Sequence, residues 1–134
     1  MEEYNTPEIK EILNKYKTIA VVGLSDNPTR PSYQVATYLI DKGYKIYPVN
    51  PKYNEILGLK CYPDLKSIPL KIDIVDVFRR PEHLEEVVKE SVEIGAKVLW
   101  FQLGVINHQA AQKAQDLGLK VVMDRCIKIE HRKL

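Results

Sequence analysis

The residues best suited to chemistry follow a short apolar run, residues 18–22, whose β-branched side chains predict a buried strand. Gly23 ends this run, and a polar loop continues to Pro31, a residue favoured in the first turn of a helix. A strand, a glycine-containing loop and a helix in this order direct unpaired N–H groups and the positive end of the helix dipole at one point. The segment therefore predicts an anion site, with phosphate as the expected anion.

Three side chains of this loop strengthen the prediction. Arg30 and the hydroxyl groups of Ser25 and Ser32 can each bond phosphate oxygens beside the start of the helix. The dinucleotide fingerprint G-x-G-x-x-G needs three glycines, however, and this loop contains Gly23 alone. An ordinary turn between a strand and a helix is therefore the alternative interpretation.

A second polar loop, Asn50-Pro51-Lys52, follows the second predicted strand. An NAD site of this architecture has an acidic residue near this position, where it binds the ribose diol. An uncharged amide with a cation nearby suits a phosphorylated ribose better than a free diol. The loop therefore favours NADP or coenzyme A over NAD.

Two further loops follow predicted strands. Arg79 and Arg80, after Phe78, are expected to converge on the same crevice and to neutralise several phosphates. Gln102 and Gly104 would let a ligand pass close to the backbone. The alternatives are solvated surface arginines and a plain turn, respectively.

Candidate catalytic groups are few. The three histidines, His83, His108 and His131, lie beside no serine or cysteine in a nucleophile pattern, so we expect no catalytic residue among them. Asp124 and Cys126 are the remaining candidate catalytic groups, and Cys126 is a thiol with basic neighbours. An enzyme is therefore the alternative hypothesis. The two cysteines of the chain lie far apart without a C-x-x-C or His-rich neighbourhood, so neither a metal site nor a disulfide is expected.

The elements that must position these loops follow from the apolar periodicity. The predicted strands are residues 18–22, 44–49, 72–78, 97–101 and 119–123. The predicted helices are one before the first strand and residues 31–42, 81–94 and 107–117. We expect a loop with one helical turn at residues 52–70 and both Asp73 and Asp76 inside the third strand. Residues 124–134 form a mixed apolar and basic tail, whose part 127–134 could form an interface or fold back on the domain.

Strands that alternate with helices require right-handed parallel crossovers. The predicted fold class is therefore α/β: a Rossmann-like, doubly wound, mainly parallel five-stranded sheet with helices on both faces, in three α/β/α layers. In the expected strand order, 3-2-1-4-5, the ligand binds at the carboxyl ends of the strands beside the first strand.

Composition limits the function classes. A chain of 134 residues predicts one domain over residues 1–134, and a formal charge of +2 is too small to indicate nucleic-acid binding. No apolar run approaches the ~18 residues that a membrane span requires, and the start lacks the apolar core of a signal peptide. We expect a cytoplasmic protein with reduced thiols that binds neither nucleic acid nor membrane.

Five segments together resemble a known family: VVGLSDNPTRPSYQVATYLIDKGY, YPVNP, VDVFRRPE, WFQLGV and VMDRCIKIEH. They are similar to the small stand-alone CoA-binding proteins, which in turn are similar to the CoA-binding domain of the succinyl-CoA synthetase α subunit. The match extends from about Lys17 to His131 with all five motifs in order. The resemblance implies a Rossmann-like fold with coenzyme A in the crevice.

The resemblance also implies which residues hold the cofactor. The first loop would hold the CoA phosphates through Gly23, Leu24, Ser25, Arg30 and Ser32. The adenosine end would lie against Asn50, Pro51 and Lys52. The rest of the cofactor would be flanked by Phe78, Arg79, Arg80, Gln102 and Gly104.

The synthetase α subunit has a second domain with a phosphohistidine, and its catalysis also needs a partner β subunit. This sequence contains no counterpart of that domain, so the resemblance implies binding of CoA or an acyl-CoA, as a non-catalytic or regulatory module. A protein partner or a homodimer is left open. The alternative is an NADP- or CoA-dependent enzyme of unknown reaction.

Overall fold

The computed structural model describes residues 6–134. Alternating strands and helices follow one another along nearly all of this range, as the apolar periodicity predicts. In chain order they are α1 (Thr6–Lys15), β1 (Thr18–Val22), α2 (Pro31–Asp41), β2 (Lys45–Val49), β3 (Glu55–Ile56), β4 (Leu59–Lys60), β5 (Ile74–Val77), α3 (Leu84–Glu93), β6 (Val98–Phe101), α4 (His108–Asp116), β7 (Lys120–Val122) and α5 (Ile127–Arg132).

Five of the strands form one parallel sheet in the order β2-β1-β5-β6-β7. The Rossmann-like α/β prediction is confirmed, but the expected order 3-2-1-4-5 is wrong, because the five main strands stand in the order 2-1-3-4-5. The third main strand pairs with β1, with Ile19 opposite Ile74, rather than with β2. On the far side of β2, Val49 is bridged by Tyr62. The strand order therefore reverses between β1 and β5, and a ligand crevice is expected there.

The helices cover both faces of the sheet, which gives the three expected layers. The face that carries α3 and α4 packs Leu84, Val88 and Ala111 against Val75 and Val77. The opposite face carries α1, α2 and α5. Trp100 points to that opposite face and Phe101 to the first, and both are fully buried in the sheet core.

The segment expected to be a loop, residues 52–70, contains a hairpin instead. Strands β3 and β4 pair antiparallel through Glu55–Lys60 and Ile56–Leu59. Both turn residues, Leu57 and Gly58, have positive φ, as a two-residue hairpin turn requires. Two-residue strands show no detectable periodicity, and this is why the sequence did not predict them. The expected helical turn is present as a 3₁₀ turn at Leu65–Ser67.

The segment predicted to be a tail, residues 124–134, contains a helix, α5, which folds back on the domain. Ile127 is fully buried on the face formed with α1 and α2. The hydroxyl of Tyr38 and Nδ1 of His131 share a 2.7 Å hydrogen bond across the contact between α2 and α5. Six residues are too few to show helical periodicity, so tertiary packing, rather than local sequence, defines this helix.

The predicted start of the third long helix and the predicted place of Asp73 inside a strand are both wrong. Pro81 opens a 3₁₀ turn, Pro81–His83, and the α-helix begins at Leu84. Asp73 precedes β5 and accepts a hydrogen bond from the hydroxyl of Thr18 at 3.2 Å, whereas Asp76 lies inside the strand. No helix within residues 6–134 is long and apolar enough to cross a membrane.

Candidate functional site

The carboxyl ends of β1, β2 and β5 form a pocket of about 360 Å³ at the start of α2. We call it the α2 pocket. Its lining residues come from three separate segments: Gly23, Ser25, Arg30, Pro31, Ser32, Asn50, Lys52, Tyr53 and Phe78. The structure thus brings together most of the residues that the sequence assigned to phosphate binding.

Helix α2 begins at the pocket without a side-chain cap. Arg30 occupies the N-cap position and makes no capping hydrogen bond, and Pro31 opens the first turn as predicted. The uncapped helix start and its dipole favour an anion at this point. Within residues 6–134, neither Arg30 nor Lys52 belongs to an ion pair, so both cations are available to such an anion.

The two serine hydroxyls are arranged as donors. Ser32 Oγ accepts the backbone N–H of Ser25 at 3.0 Å, and Ser25 Oγ accepts that of Asn27 at 3.0 Å. A hydroxyl whose oxygen accepts a backbone N–H still has its own proton to donate. Neither hydroxyl donates to another group within residues 6–134, so both protons are available to bond an anion in the α2 pocket.

Gly23 allows β1 and β5 to approach each other at the edge of the pocket. Its φ is +86°, and its N–H donates to the carbonyl of Val49 at 2.9 Å. A Cβ at this position would lie 2.6 Å from the carbonyl oxygen of Phe78. Glycine is therefore required by both its backbone conformation and the space available.

Tyr53 is a pocket residue that the sequence reasoning missed. It reaches the pocket from the loop after β2, and a side-chain hydrogen bond to Asp26 raises the pKa of its phenol. An aromatic residue three positions after Asn50 was the only sequence signal. The contact links the loop after β1 to the loop after β2 on the rim of the pocket.

A second pocket, of about 430 Å³, lies on the opposite face of the sheet beside α3. We call it the α3 pocket. Apolar residues of β1, β2 and α3 share its lining with several carboxylates and two basic side chains: Val22, Val49, Pro63, Asp64, Leu65, Arg79, Glu82, His83, Glu85, Glu86, Val87 and Glu90. Two of these carboxylates are engaged within the protein, since Asp64 accepts from Ser67 and Glu90 accepts from the N–H of Leu65.

Arg79 lies in the α3 pocket and not among the lining residues of the α2 pocket. Its Nε is buried and has no hydrogen-bond partner within the described residues. A buried guanidinium nitrogen without a partner costs free energy, so a ligand oxygen that reached it would be stabilised. Arg80 is exposed and stands at the start of the 3₁₀ turn, outside both linings.

Gln102 and Gly104 are brought into a different set of contacts. The side-chain oxygen of Gln102, which is buried, accepts the N–H of Ile127 at 3.1 Å. The N–H of Gly104 donates to the carboxylate of Asp124 at 2.9 Å. These bonds fasten the loop after β6 to the segment that leads into α5.

Two more of the predicted site residues lie outside both linings. Leu24 is fully buried, and its carbonyl oxygen accepts a hydrogen bond from the side chain of Asn50 at 3.0 Å. Pro51 is exposed in the turn between Asn50 and Lys52.

Comparison with known proteins decides the family. The sequence profile described as the CoA binding domain matches residues 17–132, nearly the whole chain. The chain belongs to the CoA-binding domain family. The resemblance to stand-alone CoA-binding proteins is thereby confirmed.

Relatives of this CoA-binding domain include proteins of similar and of much greater length. YneT of Bacillus subtilis is 49% identical over 131 residues, which cover 98% of this chain and 97% of YneT. An ADP-forming acetate–CoA ligase of Methanocaldococcus jannaschii is 30% identical over 122 residues, and the match covers 84% of this chain and 17% of the ligase. The chain therefore spans a small part of the ligase.

The fold of this CoA-binding domain also occurs in a solved structure. A protein from Pyrococcus horikoshii OT3 superimposes with a TM-score of 0.95 at 46% identity, and the match covers 100% of this chain and 99% of that one. The similarity extends over the same strands and helices that form the two pockets.

Proposed function

We propose that the chain binds coenzyme A, or an acyl-CoA, in the crevice at the carboxyl ends of the strands, as a non-catalytic or regulatory module. The observation that carries the proposal is the α2 pocket, a cationic, hydroxyl-lined pocket at the point of strand-order reversal in a CoA-binding domain. Coenzyme A carries a diphosphate and a 3′-phosphate, which require several cations and donors in one crevice.

The residues present fit such a ligand. The hydroxyls of Ser25 and Ser32 and the guanidinium of Arg30 stand beside the start of α2, where a diphosphate would be stabilised. Lys52 adds a cation at the end of β2, where ligands of this architecture place the ribose. Across the sheet edge, Nε of Arg79, which has no hydrogen-bond partner in the part of the chain that the structure describes, is a further donor for the ligand.

The α3 pocket offers space for another part of the same ligand. Its floor includes Val22, Val49 and Leu65, three apolar side chains against which a ring can pack. Carboxylates on its rim, including Glu82 and Glu86, can accept hydrogen bonds from an amino group. We propose that the adenine base lies between the loop after β2 and this floor.

Calorimetric titration tests the proposal. The protein is titrated with CoA, acetyl-CoA, NADP and NAD at equal ionic strength, because phosphate contacts are screened by salt. CoA is expected to bind at least about tenfold more tightly than NAD, a free-energy difference of about 1.4 kcal/mol. Tighter binding of NAD, or no binding of any of the four, would contradict the proposal.

A double variant locates the site. Arg30→Ala combined with Arg79→Ala is expected to weaken CoA binding by about tenfold or more, because each arginine can make charge-assisted hydrogen bonds to phosphate. Lys42→Ala, at the end of α2 away from the crevice, removes a similar exposed charge and is the control. Wild-type affinity in the double variant would show that the crevice is not the CoA site.

An enzyme remains the alternative, and the acetate–CoA ligases among the relatives are its main support. The chain spans 14% and 17% of the two ligases that support it, so their activity is not transferred to it. Of the two candidate groups, Asp124 is engaged with the N–H of Gly104. If a reaction is found, Cys126→Ser tests whether it needs the thiol. Unchanged turnover in this variant would show that Cys126 is not a catalytic residue.

The remaining parts of the proposal rest on the sequence alone. They are a cytoplasmic location, the absence of nucleic-acid and membrane binding, and a protein partner or homodimer. Size-exclusion chromatography with and without CoA tests the last of these.

A further inference from the structure

Asn50 uses its polar groups inside the protein. Its backbone N–H donates to the carbonyl of Tyr62 at 2.9 Å, and its backbone oxygen accepts the thiol of Cys61 at 3.4 Å. Its side-chain nitrogen donates to the carbonyl of Leu24 at 3.0 Å, while its side-chain oxygen accepts the N–H of Lys52 at 3.0 Å. Both ends of the amide are therefore engaged before any ligand arrives.

These two side-chain bonds join the two walls of the α2 pocket. Leu24 is fully buried and immediately precedes Ser25, so its carbonyl marks a fixed point in the loop after β1. Lys52 belongs to the loop after β2, and Asn50, two residues before it, lies 26 residues after its hydrogen-bond partner Leu24. The side chain of Asn50 thus connects the loop after β1, which carries the serine and arginine donors, to the loop after β2, which carries Lys52.

An amide is suited to this double role. One end must donate to a carbonyl and the other must accept an N–H, and Asn is the short side chain that does both. Aspartate would keep the acceptor for Lys52 but would place a carboxylate oxygen against the carbonyl of Leu24. Alanine would leave both backbone groups without this partner.

We propose that Asn50 is a positioning residue that fixes Lys52 relative to the donors of Ser25 and Ser32, and so sets the preference for a ligand with a phosphorylated ribose. The inference rests on the proposed function for the identity of the ligand. Asn50 itself acts through Lys52 and is not assigned a ligand contact.

The test compares CoA with dephospho-CoA, which lacks the 3′-phosphate. Wild-type protein is expected to prefer CoA by about tenfold or more, and Lys52→Ala should bring the ratio of the two dissociation constants close to one. Asn50→Ala should lower this ratio to a similar value although the lysine is still present. Asn27→Ala is the matched control, because Asn27 accepts the N–H of Thr29 at 3.0 Å in a turn of the same type, and it should keep the wild-type ratio.

Two outcomes would overturn the inference. Asn50→Ala with the wild-type ratio, whether or not both affinities fall together, would show that Asn50 only supports the fold. A second readout needs no ligand: amide hydrogen exchange at Lys52 should be faster in Asn50→Ala by about tenfold, because the N–H loses its acceptor. Unchanged amide exchange at Lys52 in Asn50→Ala would overturn the inference, whether or not the protein binds a ligand. If the wild-type protein bound neither CoA nor dephospho-CoA, that separate result would refute the proposed function.

Discussion

Asp76 lies in the middle of the sheet, opposite Val21 on β1 and Trp100 on β6. Its side chain is fully buried, and neither carboxylate oxygen has a hydrogen-bond partner within the described residues. Burial raises the pKa of this carboxyl well above its usual value. A group in this environment holds its proton more firmly in the folded chain than in the unfolded one.

The pH dependence of stability follows from this difference. Because the folded pKa is raised, stability is fully present below the unfolded pKa of about 3.9 and falls as the pH rises toward the folded pKa. Asp76→Asn removes the titrating group, so the stability of the variant relative to the wild type should rise progressively as the pH increases above about 4, the pKa of the unfolded chain. Urea unfolding at several pH values measures the difference.

Asp73→Asn is the control for this prediction, since Asp73 is half-buried and bonded to Thr18. A constant difference between wild type and Asp76→Asn at all pH values would show that the carboxyl does not titrate differently in the two states.

For individual residues, the sequence predicted which side chains belong to the candidate site better than it predicted which groups they contact. The serines and Arg30 were assigned to one loop, and the structure places them together because residues near in sequence share one turn. The contacts of Gln102 and Asn50 were not predictable in the same way, since their partners Ile127 and Leu24 lie 25 and 26 residues away.

At the scale of elements, two glycines with nearly the same backbone conformation separate two physical causes. Gly23 has φ +86° and no room for a Cβ, whereas Gly43, after α2, has φ +92° and open space around it. Gly43→Ala should cost about 1–2 kcal/mol of unfolding free energy for the left-handed conformation alone. Gly23→Ala should cost about 3 kcal/mol or more, because the contact between β1 and the residue after β5 must also open.

Chemical denaturation of both variants measures these costs. Equal losses would mean that the chain relaxes around the new methyl group and that the close approach of Phe78 is not fixed. CoA affinity measured on the folded fraction of Gly23→Ala should also fall, since the same contact shapes the α2 pocket.

Long, periodic elements were predicted from sequence, and short or non-local features were not. Helix α2 and strand β1 have enough residues for their apolar patterns to be recognised. The hairpin and α5 are too short for that, and the strand order depends on whether the third main strand joins the free edge of β1 or that of β2. Sequence periodicity identifies the buried face of a helix or strand, but it does not identify the strand beside which another strand pairs in the sheet.

At the scale of the whole molecule, the α2 pocket combines segments that lie far apart in the chain, around Gly23, Asn50 and Phe78. A ligand that bridges them should resist separation of β2, β1 and β5 and hence stabilise the entire sheet. CoA at 100 times its dissociation constant should add about 2.7 kcal/mol to the unfolding free energy.

Thermal denaturation at increasing CoA concentration measures this effect as a rise in Tm that continues with the logarithm of concentration. The double variant Arg30→Ala and Arg79→Ala should show a much smaller rise. Pantetheine, which lacks the phosphates, is the ligand control, and an equal rise with pantetheine would contradict phosphate recognition.

The contact between β6 and the segment before α5 has a practical consequence. Trp100 is the single tryptophan of the chain, and its indole N–H donates to the carbonyl of Arg125 at 2.8 Å, two residues before α5 begins. Its fluorescence therefore arises from one site and reports on the docking of the C-terminal helix. A red-shifted emission at conditions that leave the far-ultraviolet circular dichroism unchanged would reveal local detachment of that helix, without any label attached to the protein.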